Sequence, residues 1–398
     1  MRGLITDKLQ EYSTTLLKQG LHRQRRVSGT NDGVINFSSS DYLSLTSDSR
    51  IKKAYQEGFG KYPTGSGSSM VVCGYHATHR ALEKAFAEAL SVDDCILFSS
   101  GYAANLSVTG LLARFDIHIL IDKGVHASLY DGLQLSRARY SRYLHNNLVD
   151  LASKIEIACS NLSSTSRGLS TESLDPVDKP WDVSQMSIAI MTEGTFSMSG
   201  QCAPLCEIAR LGHDLLVDEA HAFGVLGPQG MGAVVHQQLT QAEVPLRVIP
   251  LGKAFGASGA IVAGQGVWID ALLQSARPQT YSTAISPAVA YGLLETLAIL
   301  RCADDRRAKL AELVRYFRTS VRNSPLKWRD SYSPIQQLQL GCPHRALYFS
   351  EKLRERSILC LPMRQPTVSQ QETGLRVILN SHHEPDQIDF LFEYLHQL

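Results

Sequence analysis

The chain lacks any charge imbalance: 39 Lys and Arg stand against 38 Asp and Glu in 398 residues, a formal net charge of +1. That balance supplies no electrostatic reason to bind nucleic acid or an anionic membrane surface. No apolar run approaches the ~18 residues that a membrane span needs. The start, Met1-Arg-Gly-Leu-Ile5, lacks the long apolar stretch of a secretory signal. Cysteine is scattered, at 73, 95, 159, 202, 206, 302, 342 and 360. Only Cys202 and Cys206 are close, and no second pair with metal-ligand spacing accompanies them, so no metal site is expected. Reduced thiols in a cytoplasmic protein are the expected state. Internal repeats and heptads are missing as well.

What is present is ordinary for a globular protein, with 44% hydrophobic and 19% charged residues in a chain long enough for two unequal lobes. Residues 1 to about 30 are expected to form one amphipathic helix, running into the basic cluster Arg23-Gln-Arg-Arg26. A short strand follows at Val34–Phe37. Strand-like runs then alternate with helical ones. Cys95–Phe98 leads to a helix over Tyr102–Ala113, and His118–Ile121 to a helix over His126–Ser136; Ser187–Met191, Leu215–Val217 and Val248–Ile249 continue the series. This alternation predicts a mostly parallel sheet covered by helices, an α/β fold. Residues 159–185, rich in Ser, Thr and Pro, read as an exposed loop. The expected division is an N-terminal segment at 1–48, a large domain at 49–288 and a smaller α+β domain at 289–398.

Two strand ends carry the chemistry. Leu215-Leu-Val-Asp218 reads as a buried strand ending in a carboxylate, with His221 one turn later. Arg247-Val-Ile-Pro-Leu251 reads as another, followed by Lys253 between small residues. α/β folds hold their ligands at the carboxyl ends of such strands. A lysine that can form a Schiff base, with a carboxylate that can hold a pyridine nitrogen protonated, is what pyridoxal phosphate requires. Upstream, Phe98-Ser-Ser-Gly-Tyr-Ala-Ala-Asn105 runs from a strand into a helix start, where outward N–H groups suit a phosphate and Gly101 permits close approach. His126 also opens a helix after a strand, where its imidazole would lie on the cofactor ring. Taken alone, His126 reads equally well as a capping or surface histidine, and Ser197 as a turn residue.

Together the ordered segments INFSSSDYLSL (35–45), TGSGSSMVVCGYHATHRALE (64–83), LFSSGYAANLSV (97–108), HASLYDG (126–132), TEGTFSMSGQCAPL (192–205), LVDEAHAFGVLGPQGMG (216–232), GKAFGASGA (252–260) and YSTAISP (281–287) resemble the α-oxoamine synthases from about residue 20 onward. The resemblance implies the fold type I pyridoxal phosphate architecture, a homodimer, and joining of an amino acid to an acyl thioester with loss of carbon dioxide. By motif it implies Lys253 as the covalent anchor and Asp218 at the pyridine nitrogen. His126 would stack on the ring, Ser197 and His221 would meet its phenolic oxygen, and Gly101 and Tyr102 would supply phosphate amides. Ser282 and Thr283 would reach the phosphate in a partner subunit. His126, Arg23, Arg364, Thr367 and Arg376 become candidates for substrate binding. The segment LPMRQPTV (361–368) resembles the Arg-Pro-Pro-Thr-Val segment of one branch of this family, and that resemblance implies L-alanine and a pimeloyl thioester of coenzyme A or an acyl carrier protein as substrates. The alternatives are a glycine- or serine-using member of the same family, a plain aminotransferase, against which the landmarks outside the cofactor site count, and a non-catalytic scaffolding relative. Departures are Ser40 for the usual Asn, Ser44 for a Gly, His145-Asn-Asn147 for His-Asn-Asp, and Pro250 for a Thr that donates to the phosphate.

Overall fold

The computed structural model describes residues 4–25, 27, 33–164, 187–365 and 367–398. In chain order its strands are β1 (Ile35–Asn36), β2 (Asp94–Phe98), β3 (His118–Asp122), β4 (Tyr140–Tyr143), β5 (Ile188–Glu193), β6 (Asp214–Asp218), β7 (Leu246–Pro250), β8 (Ala260–Gly264), β9 (Ile335–Gln339), β10 (Ile358–Leu359), β11 (Leu361–Met363) and β12 (Gly374–Ile378). The first six helices are α1 (Leu4–Lys18), α2 (Ser49–Lys61), α3 (Ala77–Leu90), α4 (Gly101–Arg114), α5 (Ala127–Leu135) and α6 (Leu148–Ser164). The chain forms two compact units, one of residues 43–197 and 202–304, the other of residues 1–42, 198–201 and 305–398.

The larger unit is organised by a seven-stranded sheet in the order β2-β8-β7-β6-β5-β3-β4. Only β8 runs against its neighbours; the other pairs are parallel. Every residue of β5 and of β8 is buried, as strands covered on both faces must be, and such strands read as continuous apolar runs rather than alternating ones. Their side chains share one core with Leu111, Leu112, Leu129 and Leu133 of α4 and α5. The carboxyl ends of β3, β5, β6 and β7 fall on one edge, at Asp122, Glu193, Asp218 and Pro250. In the smaller unit β1 pairs with β10 in parallel, and β12 lies between β11 and β9, antiparallel to both. Phe317, Trp328 and Phe392 form an aromatic cluster there, with centroids 4.9–5.4 Å apart.

Several expectations change. The N-terminal helix stops at Lys18 rather than near residue 30: Gly20 adopts φ +66°, and Leu21 and His22 N–H both turn back to Leu16 O, a glycine C-terminal cap. Arg26 and residues 28–32 lie outside the described residues. The expected loop at 159–185 begins as helix, because α6 continues to Ser164; residues 165–186 lie outside the described residues. Four strands, β4, β8, β10 and β11, were not expected. The helix Pro287–Arg301, expected to open the small domain near 289, belongs to the larger unit, where it packs on α2 and α3. Ser44, in place of the family's glycine, sits in the left-handed region at φ 52°, a conformation that favours glycine.

Candidate active site

The parallel strand edge carries Asp218 and the loops that bear Ser197, His221 and Lys253. Asp218, the last residue of β6, is buried. Its Oδ1 accepts from Ala220 N at 2.9 Å and its Oδ2 from Asn105 Nδ2 at 2.8 Å. Both oxygens are thus oriented by fixed donors. Ser197 and His221, on loops after β5 and β6, are buried to 7% and 4% exposure. Lys253 lies on the loop after β7, in a tight turn closed by Gly256 N–H donating to Lys253 O at 2.8 Å.

Helix α4 begins at this edge. Ser100 caps it, its hydroxyl accepting from Ala103 N at 3.1 Å. The preceding amides, of Gly101 and Tyr102, belong to the first turn, whose N–H groups have no intrahelical acceptor and carry partial positive charge. Gly101 is required sterically. A Cβ there would stand 2.6 Å from Pro250 Cγ and 2.8 Å from Pro250 Cβ. The Tyr102 hydroxyl donates to Asp131 of α5. Helix α5 starts from His126, whose ring accepts at Nδ1 from Ser128 N–H at 3.3 Å.

Residues with no assigned role complete the site. Glu193, at the end of β5, faces Asp218 across the strand pair and accepts from Ser197 N at 3.1 Å. Burial pushes its carboxyl well above the usual carboxylate range and the nearby Asp218 adds to that, against the amides of Ser197 and His126 and the charge of Lys253. Asn105 and Ser128 link Asp218 to His126. Asp122 is fully buried and accepts from Gly124 N, Asn146 N and His145 Nδ1; the His145 ring meets Phe196 edge-on at 4.3 Å, bracing the residue before Ser197. Asn105 and Ser128 stand inside quoted motifs, and their polarity within otherwise apolar helix starts was the available signal. Ser282 and Thr283 are exposed, on the loop after Arg277–Thr280.

The smaller unit holds a cavity of about 260 Å³ that brings Arg23, Arg364, Thr367 and Arg376 together beside Met198. Arg23 Nη2 donates to Thr367 Oγ1 at 3.3 Å, and Arg364 ties down the chain after α1 through Gly20 O and His22 O. Burial, with the neighbouring Arg23 charge, lowers the Arg364 pKa. Three guanidinium groups line this cavity without a carboxylate among its lining residues. Such a set is complementary to an anionic ligand, above all a carboxylate.

The donor set of the larger unit fits pyridoxal phosphate: a lysine, an oriented carboxylate, the buried Ser197 and His221 on neighbouring loops and a glycine-opened helix N-terminus. The family model for class I and II aminotransferases matches residues 32–395. The 8-amino-7-oxononanoate synthase of Thioalkalivibrio sulfidiphilus is 39% identical, over 99% of this chain and 97% of its own. That of Methylococcus capsulatus is also 39% identical, over 91% and 88%. Among solved structures, the 8-amino-7-oxononanoate synthase of Francisella tularensis superposes with a TM-score of 0.75 at 33% identity, covering 92% of this chain and 98% of that one. A serine palmitoyltransferase of Sphingomonas wittichii, at 24% identity, shares the fold with a TM-score of 0.84 over 100% of this chain and 98% of that one. The chain belongs to the class I and II aminotransferases, fold type I pyridoxal phosphate enzymes, and within them to the family of the 8-amino-7-oxononanoate synthases.

Proposed function

We propose that this protein condenses L-alanine with a pimeloyl thioester, of coenzyme A or an acyl carrier protein, to give 8-amino-7-oxononanoate and carbon dioxide, a step of biotin synthesis in the cytoplasm. The observation that carries the choice of acyl substrate is the cavity with Arg23, Arg364 and Arg376 and no lining carboxylate, a receptor for the free carboxylate at the far end of a pimeloyl chain.

Bound pyridoxal phosphate supplies an electron sink for the negative charge that develops at the alanine Cα. Lys253 would hold the cofactor covalently through Nζ, and as a free amine the same Nζ would serve as general base for the Cα proton. Asp218 keeps a proton on the pyridine nitrogen, which is why both its oxygens are pinned by Ala220 N and Asn105 Nδ2. His126 covers the ring. Ser197 and His221 hold the phenolic oxygen, and the Gly101 and Tyr102 amides hold the phosphate. The active unit is a homodimer in which Ser282 and Thr283 of one chain reach the phosphate of the other, a duty increased because Pro250 has no hydroxyl to donate. Mixing a Lys253→Ala chain with a Thr283→Ala chain should then regenerate one native site per heterodimer; full activity from a monomer would overturn this arrangement.

The deciding experiment offers L-alanine, glycine and L-serine to the holoenzyme with pimeloyl and short-chain thioesters. Turnover restricted to alanine and the pimeloyl chain is expected. Preference for glycine or serine would reassign the substrate within the family. A purified protein without cofactor absorbance, and with no lysine labelled after borohydride reduction, would instead point to a scaffold.

A further inference from the structure

The buried polar side chains beneath His126 form a chain of contacts in which each donor is fixed by the next group. Asn105 is 2% exposed and Ser128 is 1% exposed. Asn105 Nδ2 lies 2.8 Å from Asp218 Oδ2 and 2.9 Å from Ser128 Oγ. A carboxylate oxygen only accepts, so the amide must present its NH₂ group to Asp218, and its second N–H is then spent on Ser128 Oγ. With one lone pair taken, the Ser128 hydroxyl is free to donate, and His126 Nδ1 lies 2.8 Å away. Independently, Ser128 backbone N–H points at the same Nδ1 at 3.3 Å, as the cap of α5. A backbone N–H cannot accept. Two donors converging on Nδ1 require that nitrogen to be unprotonated.

We propose that Asn105 and Ser128 are positioning residues that form a one-directional hydrogen-bond relay from Asp218 to His126 and lock the His126 ring as its Nε2–H tautomer. The proposal rests on the reading above only in placing His126 over the cofactor. The relay runs Asp218 Oδ2, Asn105 Nδ2, Ser128 Oγ, His126 Nδ1, and no atom in it reverses its role without leaving two donors or two acceptors face to face. Its first consequence is that His126 offers Nε2–H, a donor, to whatever lies beyond the ring. Its second is mechanical. The group that holds the pyridine nitrogen's proton and the ring that covers the cofactor are fixed to one another through α4 and α5, so their relative placement does not depend on the ligand. Sequence reading treats Asn105 as an ordinary polar residue in a helix and Ser128 as part of a helix start, and neither has a role without the other.

Neutron diffraction from deuterated holoenzyme crystals reads the relay directly. Deuterium on His126 Nε2 and none on Nδ1, with the Ser128 hydroxyl deuteron directed at Nδ1, is the expected result. Deuterium on Nδ1, or a Ser128 hydroxyl turned away from it, overturns the proposal. Ser128→Ala should lower kcat about tenfold, the scale of one hydrogen bond, with a melting temperature lowered only by the one buried Asn105 N–H left unpaired and cofactor absorbance near that of the parent. Ser128→Thr should restore most of the loss by returning the hydroxyl, which a purely structural role would not predict. An unchanged kcat in Ser128→Ala would defeat the positioning role. Absence of turnover in the unmodified enzyme with alanine and pimeloyl thioester would count against the substrate reading alone, because the diffraction result stands without it.

Discussion

Gly101 and Pro250 abut at the carboxyl edge of the sheet so closely that a methyl group on residue 101 would stand 2.6 Å from Pro250 Cγ. The proline ring cannot rotate away as a flexible side chain would. A residue that departs from the family pattern therefore fixes the identity of another that follows it. Gly101→Ala should destabilise the protein by about 1–3 kcal/mol through overpacking, seen as a melting temperature lowered by a few degrees. Because the displaced backbone carries the Gly101 and Tyr102 amides, cofactor affinity should fall with it. Calorimetry and a cofactor titration check both; an unchanged pair of values would show that the edge relaxes freely.

Asp218→Asn keeps an oxygen for Ala220 N–H but turns an NH₂ group toward Asn105 Nδ2, so the protein should still fold with a modest loss of stability. The rate should drop by ~10²-fold or more, because a neutral pyridine nitrogen makes a poor electron sink. Single-turnover kinetics with the cofactor absorbance recorded in parallel will show whether the loss is in chemistry or in binding. Retention of most of the rate would remove Asp218 from the reaction.

Glu83 gives a pH signature. Its carboxyl takes the Tyr75 hydroxyl at 2.5 Å and Leu97 N–H at 2.8 Å, and burial pushes its pKa from 4.5 up to about 7. The folded state therefore holds a proton there that the unfolded chain releases. Stability contributed by this group falls as pH rises from about 4.5 to about 7, by up to roughly 3 kcal/mol. Glu83→Gln, which cannot ionise, removes the slope. The melting temperature of the variant relative to its parent should rise between pH 5 and pH 8. A constant difference across that window would refute the assignment.

Arg376→Ala should raise KM for the pimeloyl thioester by about tenfold or more, the loss of one charge-assisted contact to a carboxylate. KM for alanine should move less if that carboxylate belongs to the acyl chain. Arg364→Ala should add a loss of stability, since Arg364 also ties down Gly20 O and His22 O. Steady-state kinetics in both substrates separates the two effects.

Asp218 and Lys253 were legible because an apolar run ending in a charged residue at a strand terminus is a local pattern. The strands β2, β3, β5, β6 and β7 were legible in the alternation of strand-like and helical runs, while their order in the sheet was not. Strand β8 was hidden because Ala-Ile-Val-Ala-Gly is short and bounded by glycines, and β4 because Tyr140-Ser-Arg-Tyr143 is a polar sheet edge with one buried residue. Helix α6 ran past its expected end because Cys159-Ser-Asn-Leu-Ser-Ser164 has weak propensity that a helix already propagating overrides. Asn105 and Ser128 could not be read as partners. Their contact spans 23 residues of chain, and that with Asp218 spans 113, so only the packing of α4, α5 and β6 creates it.

The pairing of Ile35 with Ile358 also sets a timetable. A ribosome must add 323 more residues after the first partner before the second exists, on the order of 15–60 s at ~5–20 residues per second. Throughout that interval the N-terminal segment has no edge to join, while the strands of the seven-stranded sheet, all complete by Gly264, can assemble. Nascent chains stalled before residue 358 should leave Ile35–Phe37 open to protease, and release of the finished C-terminus should protect that segment.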